Sequence, residues 1–210
     1  MIVSLNEIET TILKAARGAG MEWGLAEEAA QAARWLARLA LPWAAPFAAL
    51  LATGAWRVRP SIDGARLRPQ SADAWLCPIR AGAYLSDLGE TLPVIVERVL
   101  FPVLLLPFAA RRASALELAW DGVTVRLEGE TAAVANADAQ ALDSVRADEV
   151  TLTAPTGHRP MEVLPPARQG GAEVDAASWA KLRGFEALTY VPASVKSRLS
   201  GAGAALDDND

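Results

Sequence analysis

The chain carries one cysteine, Cys77, and one histidine, His158, in 210 residues. A single thiol cannot close an intramolecular disulfide, and the pair is too few for a zinc site built from thiolates and imidazoles. Charge is also sparse. Only 21% of residues are Asp, Glu, Lys or Arg, and the net charge is −5. A chain without a basic excess is not built as a general nucleic-acid binder. The opening Ile2-Val3-Ser4-Leu5-Asn6-Glu7 lacks a basic segment backed by an apolar one, so no secretory leader is expected. The expected compartment is the cytoplasm, which suits a free thiol. Uncharged runs are few. The longest, Leu39–Trp56, is interrupted by Pro42 and Pro46 and is richer in Ala than in Leu or Ile. It reads as a buried helix rather than a membrane span. No Gly-x-Ser-x-Gly elbow is present. Asp207, Asp208 and Asp210 lack the Asp-x-Asp-x-Asp-Gly spacing of a calcium loop, so no metal is expected.

What is abundant is apolar: hydrophobic residues make up 52% of the chain, and mean hydropathy is +0.18. That suffices for one globular domain across residues 1–210 with a core of its own. Five subregions follow: a helical part over 1–56, a loop-rich segment over 57–92, a β-rich part over 93–164, a C-terminal helical segment over 172–199, and an acidic tail over 200–210. Ser4 and Glu7 form a capping-box pattern. Leu5, Ile8, Ile12, Ala15 and Ala16 then recur at helical spacing, with Gly18 expected as the left-handed cap. A second helix begins near Gly24, with Leu25, Ala29, Ala32, Ala33, Leu36, Leu39 and Ala40 as its buried face. The short connection predicts a helical hairpin, and Pro46 opens a third helix reaching Thr53.

In the middle of the chain, Leu116–Leu127 reads L-E-L-A-W-D-G-V-T-V-R-L. Asp121-Gly122 signals a two-residue type I′ turn. It predicts pairs Trp120–Val123, Leu118–Val125 and Leu116–Leu127 on one face, with Glu117 opposite Arg126 on the other. Val94–Leu106 predicts one or two buried strands limited by Pro102. Thr131–Ala135, Glu149–Thr153 and Met161–Leu164 are further strand candidates. Asp175 predicts the cap of a last long helix, with Trp179, Leu182 and Phe185 inward, and Ser194–Leu199 one more helical turn. Of the seven tryptophans, Trp23, Trp35, Trp43, Trp120 and Trp179 fall on predicted inner faces. Helices first, strands later and a helix last make an α+β order.

Chemistry concentrates in Cys77–Asp87. There a thiol (Cys77), a guanidinium (Arg80), a phenol (Tyr84) and a carboxylate (Asp87) stand within a few residues, with Gly82 open to close approach. Arg80 can grip an anionic small molecule with two parallel hydrogen bonds, oriented by Asp87. Cys77 is the candidate nucleophile, with Arg80 near its thiolate and His158 as a base from elsewhere in the fold. The rival account is structural: Arg80 pairs with Asp87 and Cys77 fills the core. Arg17, beside Gly18-Ala19-Gly20, is a further candidate for a ligand carboxylate. That glycine-rich turn follows a helix and is flanked by Glu22, Glu27 and Glu28, so it is not a phosphate loop. No cofactor is indicated.

Two readings of function stand. One is a cytoplasmic protein that binds a small polar metabolite, with enzymatic activity left open. The other is a non-catalytic accessory subunit or interaction protein docking on a partner enzyme. A homo-oligomer is compatible with both.

The stretches Ser4-Leu5-Asn6-Glu7, Lys14–Gly20 and Trp23–Ala29, the segment Cys77–Ala83 and the ending from Val191 to Asp210 resemble a bacterial family, found largely in proteobacteria, that is known only as a domain of unknown function. The resemblance implies no activity, and no catalytic residue carries over. The helical patterning of the opening also resembles the N-terminal helices of the malate/L-lactate dehydrogenase family of non-Rossmann NAD enzymes, without that family's catalytic histidine.

Overall fold

Strand β1 (Ile2–Val3) leads directly into helix α1 (Leu5–Gly18), which Ser4 starts by accepting the Glu7 amide on its hydroxyl at 3.1 Å. This is a computed structural model, and it describes residues 1–88, 92–129, 131–135, 139–155, 160–165 and 171–190. The stripe Ile8, Ile12, Ala15 and Ala16 is fully buried, as its spacing predicts. Helix α2 (Trp23–Arg38) returns against α1 through a four-residue connection, and helix α3 (Ala44–Thr53) follows. Phe47, Leu50, Leu51 and Trp56 are core residues. Among the described residues, no helix is long and apolar enough to cross a membrane.

Three expectations in this region are corrected. Gly18 is the last residue of α1 rather than its left-handed cap. The cap is Ala19, in a right-handed conformation, and the positive φ falls on Gly20. Gly18 is small for another reason: a Cβ there would lie 1.9 Å from the carbonyl oxygen of Phe185. Ala40 is exposed, not buried, because it takes the left-handed conformation (φ 53°) that ends α2. The Leu41 amide reaches back to the Leu36 carbonyl at 3.0 Å to close that end. Trp23 is 59% exposed at the first turn of α2 rather than inward, with the Arg17 guanidinium over its ring.

Residues 57–92 hold more regular structure than their Pro and Gly content suggests. Strands β2 (Pro60–Asp63) and β3 (Arg66–Pro69) form a hairpin, and helix α4 (Pro78–Asp87) follows. Pro78 occupies the first helical turn, where its missing N–H costs nothing and its fixed φ favours the helix. Val94–Leu100 is a single strand, β4. Pro102 then starts a 3-10 turn that runs into helix α5 (Leu106–Ala110).

The hairpin of β5 (Ala115–Trp120) and β6 (Val123–Glu128) has the predicted register, Trp120↔Val123 through Leu116↔Leu127. All six predicted inner side chains are buried. Asp121 and Gly122 both have positive φ, 43° and 83°, as a type I′ turn requires. On the opposite face the Arg126 guanidinium donates to Glu117 Oε1 at 2.5 and 2.9 Å. Strand β7 (Thr131–Ala135), the short helix α6 (Ala139–Leu142), and strands β8 (Arg146–Thr153) and β9 (Glu162–Val163) complete the sheet. Among the described residues its order is β2-β3-β4-β8-β5-β6-β7-β9, antiparallel except for β3 beside β4. Strand β10 (Ala172–Glu173) pairs with β1, and helix α7 (Ala176–Ala187) begins where the Ser178 amide donates to the Asp175 carboxylate at 2.7 Å. Helices α4 and α5 pack on one sheet face, α2 covers them, and α1 and α7 lie beyond. The architecture is α+β. Ser194–Leu199 and the acidic tail lie outside the described residues.

Candidate functional site

The thiol of Cys77 sits at the entry to α4, after Leu76 has joined the sheet as a short parallel partner of Val99. Leu76 donates to the Arg98 carbonyl at 2.7 Å and accepts from the Leu100 amide at 3.0 Å, which fixes the position of Cys77. The side chain is fully buried. Burial pushes the thiol up to about 11, outweighing the opposing pull of the Arg80 and Ile79 amides and the Arg80 charge. Near neutral pH this group is therefore a protonated core thiol, whereas the attacking species would be the thiolate.

Arg80 is held from two sides. Its Nε donates to the Trp56 carbonyl at 2.5 Å, and its Nη2 reaches Glu22 Oε2 at 3.1 Å. Arg17 donates to the Met21 carbonyl at 2.6 Å. The structure thus brings Arg17 and Arg80 to consecutive residues of the α1–α2 connection, where both clasp the turn. Tyr84 is half-buried one helical turn after Arg80. Gly82 faces Phe108. A Cβ there would meet three ring atoms of Phe108 at 2.2–2.7 Å, so the glycine lets α4 close on α5. The side chain of Asp87 and all of His158 lie outside the described residues. The pairing of Arg80 with Asp87 and the partnership of Cys77 with His158 are therefore not observed.

The larger of the two described clefts lies elsewhere, with a volume of about 620 Å³. Its walls come from the α2–α3 corner (Ala37, Leu41, Trp43, Pro46) and from Val174, and its mouth carries Asp143, Glu173 and Asp175. Ala40, in its left-handed conformation, also lines it. Trp43 is fixed edge-on against Trp179, with centroids 6.3 Å apart and planes at 79°. Asp175 is already engaged as the α7 cap. The Ser178 amide, then its hydroxyl, hold this carboxyl below the ordinary range. Asp143 and Glu173 are exposed and make no ion pair among the described residues. The volume falls within the range of small-molecule sites, about 300–1,000 Å³. Apolar walls with carboxylates at the mouth suit a molecule with an apolar body and a hydrogen-bond-donating head. Among the described residues, no cysteine, histidine, serine or lysine lines this cleft. Among the described residues no group of three His, Cys, Asp or Glu side chains is placed to hold a metal ion. No local motif announces the site, because its acids and its tryptophan are about a hundred or more positions apart in the chain.

Residues 3–83 match the family model described as "Protein of unknown function (DUF3726)". That span contains the opening stretches and the Cys77–Ala83 segment on which the sequence resemblance rests. No curated protein matches the chain. Among solved structures, malate dehydrogenase from Pyrococcus horikoshii OT3 is similar over 78% of this chain and 50% of its own, at 11% identity and a TM-score of 0.41. The chain spans about half the length of that enzyme.

Proposed function

We propose that the protein is a cytoplasmic binder of a small polar metabolite, and that its site is the cleft between the α2–α3 corner and β10. The cleft itself carries the reading: about 620 Å³ with a rigid tryptophan wall and carboxylates at the mouth. The favoured guest has an apolar body and an ammonium or hydroxyl head directed at Asp143 and Glu173. The Cys77–Asp87 segment lines neither described cleft, and Arg80 already holds Glu22. The competing reading, an accessory subunit, calls for a contiguous apolar face. Of the exposed large apolar side chains, Ile62 is on β2 and Val163 on β9, while Leu188 and Tyr190 follow α7, with Leu188 beside Gly18 and Tyr190 under Lys14.

The test is a thermal-shift screen of amines and alcohols with apolar bodies against the native protein and Ala45→Trp. Ala45 is an exposed residue lining the cleft, so the indole fills the site while sparing the core. A ligand at about 100 times its Kd adds ~2.7 kcal/mol. For a domain of this size that raises Tm by roughly 5–10 °C. The expected shift is present in the native protein and absent in Ala45→Trp. A screen in which no compound acts, or every active compound stabilises both proteins equally, overturns the assignment.

A further inference from the structure

We propose that the corner formed by Trp75, Arg98 and Arg146 binds a small multivalent oxyanion, a phosphate or carboxylate bearing at least two negative charges. Both guanidiniums pack on one indole: the Arg98 carbon lies 4.9 Å and the Arg146 carbon 5.0 Å from the Trp75 ring centroid. Neither arginine makes an ion pair among the described residues, whereas Arg66, Arg68, Arg80, Arg111 and Arg126 do. Two like charges gathered on a single ring repel each other. Cation–π attraction offsets part of that, and a multivalent anion reaching both guanidiniums around the one indole offsets more.

The backbone is shaped to bring the two together. Arg98 lies in β4 and Arg146 begins β8, the neighbouring strand, where it pairs in register with Leu100. Regular alternation would put Arg98 on the buried face with Val94 and Val96. Instead Arg98 has φ 52° and interrupts that alternation, a conformation side chains rarely adopt without cause. A second non-glycine residue, Phe101, has φ 44°, and its amide donates to the Val145 carbonyl at 2.9 Å, tying the start of β8 to this corner. The Arg98 Nε donates to the Ala74 carbonyl at 3.1 Å, which steadies the guanidinium at one edge. Asp148 is exposed nearby on β8 and makes no ion pair among the described residues, while Glu149 is drawn to Arg66 at 3.8 Å. Asp148 stands opposite Arg98 in the β4–β8 register without closing on either guanidinium in an ion pair among the described residues, so it competes with a bound anion rather than replacing it. Arginine forks match the oxygens of phosphate and carboxylate, and both here rest against the Trp75 ring.

The experiment is isothermal titration of the full chain with inorganic pyrophosphate and with citrate, at constant ionic strength set by chloride. The Trp75 indole NMR signal, assigned with Trp75→Phe, is followed in parallel. Expected is saturable binding of at least one probe with a shift of that signal. Pyrophosphate alone indicates a phosphate ligand, and citrate alone a carboxylate. Arg146 is exposed, so Arg146→Ala removes one fork without touching the core, and should weaken binding about tenfold or more. Arg146→Lys restores charge without the fork and should recover only part. Asp148→Asn should tighten binding, and Arg68→Ala, whose residue pairs with Asp63, should leave it unchanged. If neither probe binds the native chain, or Arg146→Ala binds as tightly as native, the site is refuted. Because the corner shares no residue with the cleft, this outcome is independent of the Ala45→Trp result.

Discussion

Replacing Gly82 with alanine separates two opposite expectations. Gly82 lies inside α4, where alanine is favoured over glycine by about 1 kcal/mol on helix propensity alone. The new methyl, however, would stand 2.2, 2.3 and 2.7 Å from three atoms of the Phe108 ring. Phe108 is fully buried between α4 and the sheet, so the ring cannot swing into solvent. Overpacking of this kind costs about 1–3 kcal/mol, and contacts as short as these put it at the upper end, well above what propensity returns. A net loss of ~2 kcal/mol lowers Tm by roughly 4–8 °C in a domain of this size. Urea denaturation of Gly82→Ala measures it directly. Gly184→Ala is the internal control: Gly184 is also inside a helix, with nothing within 4 Å of an added Cβ, and should gain about 0.5–1 kcal/mol. Adding Phe108→Leu to Gly82→Ala should cost less than the two changes summed, because the smaller side chain makes room. A neutral or stabilised Gly82→Ala protein would refute the packing account.

Two other outcomes can be checked simply. With its thiol pushed up to about 11 and fully buried, Cys77 should resist a disulfide reagent at neutral pH and react at the rate of unfolding; fast labelling of the native protein would contradict its burial. Asp175→Ala should cost ~1 kcal/mol at pH 7, the usual worth of an N-cap. The folded Asp175 titrates below its unfolded value, so the ionised cap contributes fully above about pH 4 and its contribution fades as pH falls through the folded pKa. The difference between variant and native stability should therefore narrow in acid, and a gap that widens there would be inconsistent with a carboxylate cap.

What could be read from the sequence was written in local rules. The β5–β6 hairpin is legible because alternation, the Asp-Gly turn and the Glu117–Arg126 pair all specify one register. Asp175 is legible because capping needs only a residue and the amide three positions on. Helix α4 is obscured because Pro78 reads as punctuation when it is the start of a helix, and Gly82 reads as freedom when it is a packing surface. Within Cys77–Asp87, spacing does not show that Arg80 is engaged by Trp56 and Glu22, neither of them near it in sequence. The cleft and the Trp75 corner were beyond local rules. Their residues come from separate elements, and no spacing encodes the left-handed backbone of Ala40, Arg98 or Phe101.

Strand β1 pairs with β10 across some 170 positions of chain, and α1 rests on α7 beside it, with the Lys14 ammonium on Glu186 and the Phe185 carbonyl over Gly18. On a ribosome, then, α1 and α2 emerge first yet wait for nearly everything else before their outer surface is covered. The hairpins of the sheet close loops of a few residues and form early, whereas joining β1 to β10 bears the entropy of the largest ring in the fold. The helical opening is thus made before the elements that seal it. For most of its synthesis, the nascent chain carries an alanine-rich face with no partner to hide it.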